Sequence, residues 1–211
     1  AGAIARAAAA CGAPFVHVST DYVFSGDAKI PYREDNPKAP LGVYGRSKAG
    51  GEDAVLATGP KATVLRTSWV FSAHRANFVK TMLRLGQTQS EVSVVADQHG
   101  RPTAASDLAE ACLHIAERLR DNDVNAGGVF HFANAGDTNW ADFAEAIFAG
   151  SFARGRDFVR VKRITTAEYP TLAKRPANSR LDTTKFETVL GRQPRPWLAS
   201  LTYCLDELLT A

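Results

Sequence analysis

The chain has 211 residues, 45% of them hydrophobic, and carries 25 basic against 22 acidic side chains for a formal net charge of +3. That length can bury a core in one domain, or in one domain with a small second lobe, and the scatter of basic among acidic residues argues against a nucleic-acid surface while weakly favouring an anionic ligand. Cys11, Cys112 and Cys204 are odd in number, far apart and without a C-x-x-C pair, which supports neither a disulfide framework nor a zinc knuckle and fits a reducing cytoplasm, and no apolar run approaches the roughly 18 residues that cross a bilayer.

The opening AGAIARAAAA lacks the cleavage pattern of a secretory signal and reads as a helix packed on a sheet. With Ala1 first and Met82 the single methionine, the chain reads like the middle of a protein. Through Gly12 the pattern enters a strand, FVHVS at 15–19, then a helix from about Val43 to Leu56, a strand ATVLRTSWVF at 62–71 and a helix around NFVKTMLRL at 77–85. A short strand VSVVA at 92–96 and the loop DQHGRPT precede a helix at 106–119, whose Ser106 and Asp107 suit an N-terminus and whose Leu108, Cys112, Ile115 and Leu119 form one apolar face. VFHFAN at 129–134 is another strand, followed by a helix WADFAEAIFAG that ends near Gly150. Alternating strands and helices of this kind predict an α/β fold, a doubly wound parallel sheet, over residues 1–134. Beyond about residue 135 the composition shifts to short elements, FVRVKRI, TTAEYP, KRPANSRLDTTKF and a last helix WLASLTYCLDELL. Residues 135–211 are therefore expected to form a smaller ligand-binding lobe, to which 75–103 contributes.

Chemistry concentrates in VYGRSKAGGE, where Tyr44 and Lys48 stand four residues apart and so share a helix face. A phenol is a poor acid at neutral pH, and an adjacent ammonium stabilises its phenolate and brings it toward the working range. The alternative is a solvated Tyr and Lys on an exposed helix. Thr20 ends the first strand, at the carboxyl edge where parallel sheets present side chains to ligands; its hydroxyl could hold a substrate carbonyl, or simply satisfy the turn in STD. The five histidines have no metal-ligand spacing, so no metal site is expected from the residues, and His17 and His131 read as core or crevice residues within apolar strands.

VSTDYVFSG, PLGVYGRSKAGGE, LRTSWVFS, NFVKTMLRL, VVADQHGRPT and RPANSRLD, in this order and spanning about residues 3 to 208, resemble the dTDP-4-dehydrorhamnose reductase family of the extended short-chain dehydrogenases/reductases. The resemblance implies a catalytic set of Thr20, Tyr44 and Lys48, with NADPH or NADH delivering hydride to the 4-keto group of dTDP-4-dehydro-L-rhamnose and Tyr44 donating the proton. It places Tyr44, Lys48, Ser19, Arg66 and Ser68 at the cofactor. On the substrate side it implies Thr20, Tyr22, Trp69, Arg101, Thr103, Arg175 and Asn178, although Tyr22 and Trp69 read equally well as core and any one arginine as surface. Homodimers, some with Mg²⁺ at the interface, belong to the same implication, with neither nucleic acid nor membrane as partner.

The glycine turn G-x-x-G-x-x-G with which relatives begin does not occur in this sequence; Gly50-Gly51 and Gly127-Gly128 lack its spacing and preceding strand. The chain thus resembles the C-terminal two thirds of such an enzyme and by itself is expected neither to hold NADPH tightly nor to turn over. Two rivals remain. Sugar-nucleotide dehydratases and epimerases share the Tyr–Lys pair, but a dehydratase-like Thr-Asp-Glu is here Thr20-Asp21-Tyr22, which favours simple reduction. A non-catalytic nucleotide-binding relative would not need all three catalytic positions.

Overall fold

The computed structural model describes residues 1–169 and 175–209. In chain order its elements begin with α1 (Gly2–Ala10), β1 (Phe15–Thr20), α2 (Val43–Leu56), β2 (Ala62–Thr67), β3 (Val70–Phe71), α3 (Phe78–Gly86), β4 (Glu91–Val95), β5 (His99–Gly100) and β6 (Thr103–Ala104). They continue with α4 (Ala105–Arg120), β7 (Gly128–His131), β8 (Thr138–Asn139), α5 (Trp140–Phe152), β9 (Arg160–Ile164), α6 (Thr184–Leu190) and α7 (Trp197–Leu209). None of the described helices is long and apolar enough to cross a membrane.

Strands β1, β2 and β7 form a parallel sheet in that order, with Thr20 opposite Thr67 and Arg66 opposite His131. Every residue of β2 is buried, as a central strand requires. Successive side chains face opposite ways. Val64 packs with Ala5 and Val55 of α1 and α2, while Leu65 packs with Leu108, Ile115, Phe130 and Phe186 of α4, β7 and α6. Helices thus cover both faces, the doubly wound arrangement expected from the alternating pattern.

A second core gathers α3, α5 and α7 around the parallel pair β4–β9 and the β3–β6 and β5–β8 pairs. Its centre is aromatic: Phe71, Phe78, Trp140 and Trp197 all contact Phe143. Phe143 is wholly buried. At about 25 cal/mol per Å² of apolar surface removed from water, a ring of that size contributes several kcal/mol.

The structure differs from the sequence pattern at five places. The run 62–71 is not one strand: it breaks after Thr67, and Trp69 takes φ +49°, a left-handed turn that sends β3 out of the first sheet to pair with β6. Helix α4 starts at Ala105 with Ala104 as its uncapped N-terminal residue, so Ser106 and Asp107 lie inside the first turn. The strand expected at 129–134 ends at His131, because Asn134 leaves the sheet to bind the start of α4, its Oδ1 accepting Ala104 N–H at 2.8 Å and its Nδ2 donating to Asp107 at 2.7 Å. Helix α5 runs past Gly150 to Phe152, and α6 (Thr184–Leu190) starts in the last three residues of KRPANSRLDTTKF, where no apolar periodicity announces a helix. Pro170 and Lys174, which fall in the last two short segments, lie outside the described residues.

Helix α2 begins at Gly42 with no side-chain cap and carries Gly45, Gly50 and Gly51, so intrinsic propensity alone holds it poorly. Gly45 is required by contact: a Cβ there would stand 2.2 Å from the Tyr22 carbonyl oxygen and 2.9 Å from Pro40. The backbone of α2 therefore rests directly on the turn that follows β1. Gly45→Ala should destabilise the fold by about 1–3 kcal/mol despite alanine's better helix propensity, since a backbone oxygen cannot move aside as a side-chain tip can. Equilibrium denaturation of the two forms checks this; a stabilised variant would show that the close approach is relieved freely.

Candidate active site

The carboxyl edge of the first sheet is built from the ends of β1 and β2. After Thr20 the chain enters a 3₁₀ turn at Asp21–Val23 that the Thr20 hydroxyl caps, accepting Tyr22 N–H at 3.2 Å and donating to Asp21 Oδ1 at 3.1 Å. Asp21 is buried, and its Oδ2 has no hydrogen-bond partner among the described residues; the same holds for the buried Thr67 Oγ1 on the paired strand end. Burial pushes the Asp21 carboxyl up to about 6, against the hydrogen bonds from Ser179 and Thr20 that favour its charged form.

Helix α2 lays Tyr44, Lys48 and Glu52 along one face at one-turn intervals. Tyr44 is 59% exposed and meets Tyr22 edge to face at 5.8 Å between ring centroids. Lys48 Nζ donates to the Val18 carbonyl at 2.6 Å. Its ammonium is held below the usual lysine range by partial burial, which the Glu52 carboxylate partly offsets. Tyr22 is pushed up by burial and then by Asp21, with Arg175 acting the other way, so the Arg175 guanidinium shares the same electrostatic neighbourhood.

Beneath this face lies a buried polar cluster. Glu52, with no exposed surface, accepts Ser19 Oγ at 2.6 Å and Arg66 Nε and Nη2 at 2.9 and 2.8 Å. The remaining Arg66 nitrogen lies 3.3 Å from both the Glu34 carbonyl and His131 Nε2. Arginine can only donate and a carbonyl only accept, so His131 carries its proton on Nδ1, which donates to Tyr32 O at 3.0 Å. Burial first and Arg66 second push His131 down to about 3, so this imidazole stays neutral.

These contacts place the other expected residues. Ser19 and Arg66, expected at the cofactor, are both buried and bound to Glu52. Ser68 Oγ is spent on Arg101 O at 3.1 Å, and Thr103 is fully buried beside the same carbonyl. Asn178 is likewise internal, its Nδ2 donating to the Ala28 and Ile30 carbonyls and its Oδ1 accepting from Arg180. Each of these polar groups sits where desolvation obliges it to pair inside the protein. Arg101 is ion-paired with Asp137 at 2.6 Å. Trp69 is half-buried, stacked on Trp140 at 3.7 Å and lying where a Cβ on Gly100 would meet it at 2.4 Å. Thr20, Tyr22, Tyr44 and Lys48 are the expected residues that the fold does bring to one edge, with Arg175 near them. Asp21, Glu52 and His131 were not singled out as site residues; for Glu52 the signal was present, since it continues the spacing from Tyr44 and Lys48.

A cavity of about 480 Å³ opens beside Arg175, between Trp140, Phe78, Met82, Gln98 and Tyr169. A second, of about 510 Å³, lies between α4 and α7 near Arg195 and Tyr203, and none of Thr20, Tyr44 and Lys48 lines it. The first is the better ligand crevice, because Arg175 connects it to Tyr22. Among the described residues no group of three or more His, Cys, Asp or Glu side chains could hold a metal ion, so nothing here supports the magnesium that the resemblance implied.

Residues 1–210 match the family described as RmlD substrate binding domain. A curated dTDP-4-dehydrorhamnose reductase from Sinorhizobium fredii is 47% identical over 92% of this chain and 66% of its own length. The crystal structure of a dTDP-4-dehydrorhamnose reductase from Clostridium acetobutylicum superposes with a TM-score of 0.89 at 40% identity, over 98% of this chain and 70% of that one. One from Bacillus anthracis, solved in complex with NADP, gives 0.85 at 36% identity over the same shares. The chain thus spans about two thirds of the length of the curated relatives it matches.

The Asp21 carboxyl has a consequence that can be measured. Its folded value of about 6 lies above its ordinary 3.8, so the stability it contributes is fully present below about pH 3.8 and is lost as pH rises through 6. At about 1.4 kcal/mol per unit the loss is on the order of 3 kcal/mol. Asp21→Asn, which cannot ionise, should therefore gain on the native protein by about 2–3 kcal/mol between pH 4 and 6.5, measured by denaturant titration at several pH values. A difference that stays flat across that range would rule out a proton held on buried Asp21.

Proposed function

The chain belongs to the RmlD substrate binding domain family, that of the dTDP-4-dehydrorhamnose reductases, and from that premise we propose that it forms the catalytic and substrate-binding part of an NAD(P)H-dependent reductase that converts the 4-keto group of dTDP-4-dehydro-L-rhamnose to the alcohol of dTDP-L-rhamnose. The observation that carries this reading is the convergence at one sheet edge of Tyr44, exposed and in ring contact with Tyr22, of Lys48, fixed on Val18 O, and of the Thr20 hydroxyl that caps the Tyr22 turn.

An ammonium has three N–H donors, and Lys48 gives one to Val18, so its donor set fits the hydroxyls of a nicotinamide ribose. The nicotinamide supplies the hydride when bound. Tyr44 supplies the proton to the developing alkoxide, and the Lys48 charge stabilises the phenolate left behind. The Thr20 hydroxyl, an O–H rotor now turned to Asp21, swings to the substrate oxygen and keeps it in line with Tyr44. Tyr22 and Trp69 present ring surface to the apolar side of the deoxysugar. Arg175 and the adjoining crevice take the nucleotide diphosphate, so that the second core, with α3, α5 and β4–β9, serves as the substrate lobe. This division adds 75–103 to the C-terminal part of the chain.

In the complete enzyme Tyr44→Phe should lower kcat by about 10²- to 10⁴-fold while KM for the keto-sugar stays nearly unchanged, since one general acid is lost and the ring still fills its space. Loss of NADPH absorbance on adding the keto-sugar reads the rate, and near-normal turnover would remove Tyr44 from the mechanism. Trp69→Ala should raise KM while costing less than the about 3–5 kcal/mol of a wholly buried aromatic truncation. An unfolded variant whose residual folded fraction keeps normal kinetics would make Trp69 a packing residue only.

A further inference from the structure

We infer that Glu52 is a positioning residue for the Tyr44–Lys48 pair, locking the helix that carries both onto the ends of β1 and β2 and setting the charge beside Lys48. The inference rests on the reductase reading above and deepens it.

The geometry begins with the helix. Tyr44, Lys48 and Glu52 follow one another at single turns along α2, so whatever fixes Glu52 fixes the height and rotation of the other two. Glu52 is held from two strands at once, by Ser19 Oγ of β1 and by two nitrogens of Arg66 of β2. Arg66 cannot yield in turn: its guanidinium lies 5.0 Å from the centre of the Phe24 ring, and its third nitrogen lies between the Glu34 carbonyl and His131 Nε2. A two-pronged carboxylate–guanidinium contact fixes orientation as well as distance. The other contacts that tie α2 down, Lys48 on Val18 O and Lys38 on Asp53 and Ala49 O, run through single ammonium nitrogens and fix orientation less, and the helix has no side-chain cap and three glycines. Holding the helix down by burial alone would be served as well by an apolar residue at 52, since a buried ion pair contributes little net stability against a hydrophobic equivalent. What the ion pair adds is one register.

The same carboxylate acts on Lys48. The charged and titratable groups around that ammonium are Glu52 on its own helix, His17 of β1, which burial and Lys48 itself keep largely neutral, the N-terminal amine that also bears on His17, and beyond Glu52 the cations Arg66 and Lys38. Among the groups acting on Lys48, Glu52 is the one that favours its charged form, against the burial that disfavours it.

The test uses the complete enzyme with Glu52→Gln, Glu52→Asp and the double variant Glu52→Leu with Arg66→Met, which removes the pair without stranding a buried cation and so keeps the fold. In Glu52→Gln, kcat should fall by about 10²-fold with a change in KM of less than about threefold, because the reacting groups shift while the substrate lobe does not. The alkaline limb of kcat should also move to lower pH, and the Lys48 titration followed by carbon NMR of its Cε should move with it. Glu52→Asp should restore most of the limb and of the Lys48 titration. The double variant should stay folded and slow. A folded double variant with native kcat and an unmoved alkaline limb would overturn the inference and leave the pair a packing element, while the Tyr44 requirement still stood. If native enzyme and Tyr44→Phe reduced the keto-sugar equally fast, Tyr44 would leave the mechanism and this inference would fall with it, whereas a native enzyme that does not reduce the keto-sugar would overturn the reductase reading itself.

Discussion

The contact between Glu52 and Arg66 is the constraint on which the rest of the site depends. A carboxylate with no exposed surface would cost several kcal/mol in a dry interior, and three donors from two different strands converge on it to offset that cost, with the Lys38 ammonium 3.7 Å away. Those strands are neighbours in a parallel sheet whose register sets Ser19 against Arg66 and Thr20 against Thr67. One pairing decision in the sheet therefore fixes where the carboxylate must sit, and hence where Lys48 and Tyr44 stand one and two turns earlier. The cluster extends without a break to β7, since Arg66 lies opposite His131 and binds its imidazole. His131 stays neutral because it is buried and lies beside a guanidinium, so this imidazole keeps the same protonation over the physiological range.

A second constraint lies two residues past Thr67. Trp69 in a left-handed conformation converts what would be a ten-residue strand into two pieces serving different cores. Its stacking on Trp140 holds that turn from the side of the second core. A bulky residue at positive φ costs on the order of 1–2 kcal/mol, and the stacked ring and its close fit over Gly100 offset it.

Much of the fold was legible because its signals are periodic. Helix α2 was expected over Val43 to Leu56, and those are its observed limits; β1, α3 and α7 likewise follow their apolar patterns to within a residue or two. What the pattern could not show was where a continuous apolar run changes partner. The run at 62–71 has no glycine or proline to mark the break at Trp69, and the decision lies with β6, more than thirty residues away. The site divides in the same manner. Tyr44 and Lys48 declare themselves by spacing on one helix, whereas Arg66 in a strand looks like a group that could reach a phosphate until the carboxylate it pairs with is known, fourteen residues earlier and on another element. Asn178 misled similarly, since its amide closes a loop near residue 28 and this partnership has no local signature.

Polar groups are otherwise well satisfied where the chain is buried, which makes the exceptions informative. Asp21 Oδ2, Thr67 Oγ1 and His17 Nε2 lack partners among the described residues; the first two stand at adjoining ends of β1 and β2, beside the Tyr22 turn on which α2 rests, and the third lies midway along β1. Each unpaired buried group costs about 1–3 kcal/mol, and the strained Trp69 backbone adds to that cost within two residues of Thr67. At the first residues of the same strands Phe15 N–H is taken by Lys61 O at 2.9 Å and Thr63 Oγ1 donates to Ala126 O at 2.6 Å, so two of the three unpaired atoms fall at the carboxyl ends. A stability cost that is spread over a whole fold reads as imperfection, but one gathered at the carboxyl edge of a parallel sheet, under an exposed phenol and a fixed ammonium, is where an incoming polar ligand would recover it by supplying the missing hydrogen bonds. The distribution of unsatisfied groups, and not their number, is therefore what ties the energetics of this fold to its chemistry.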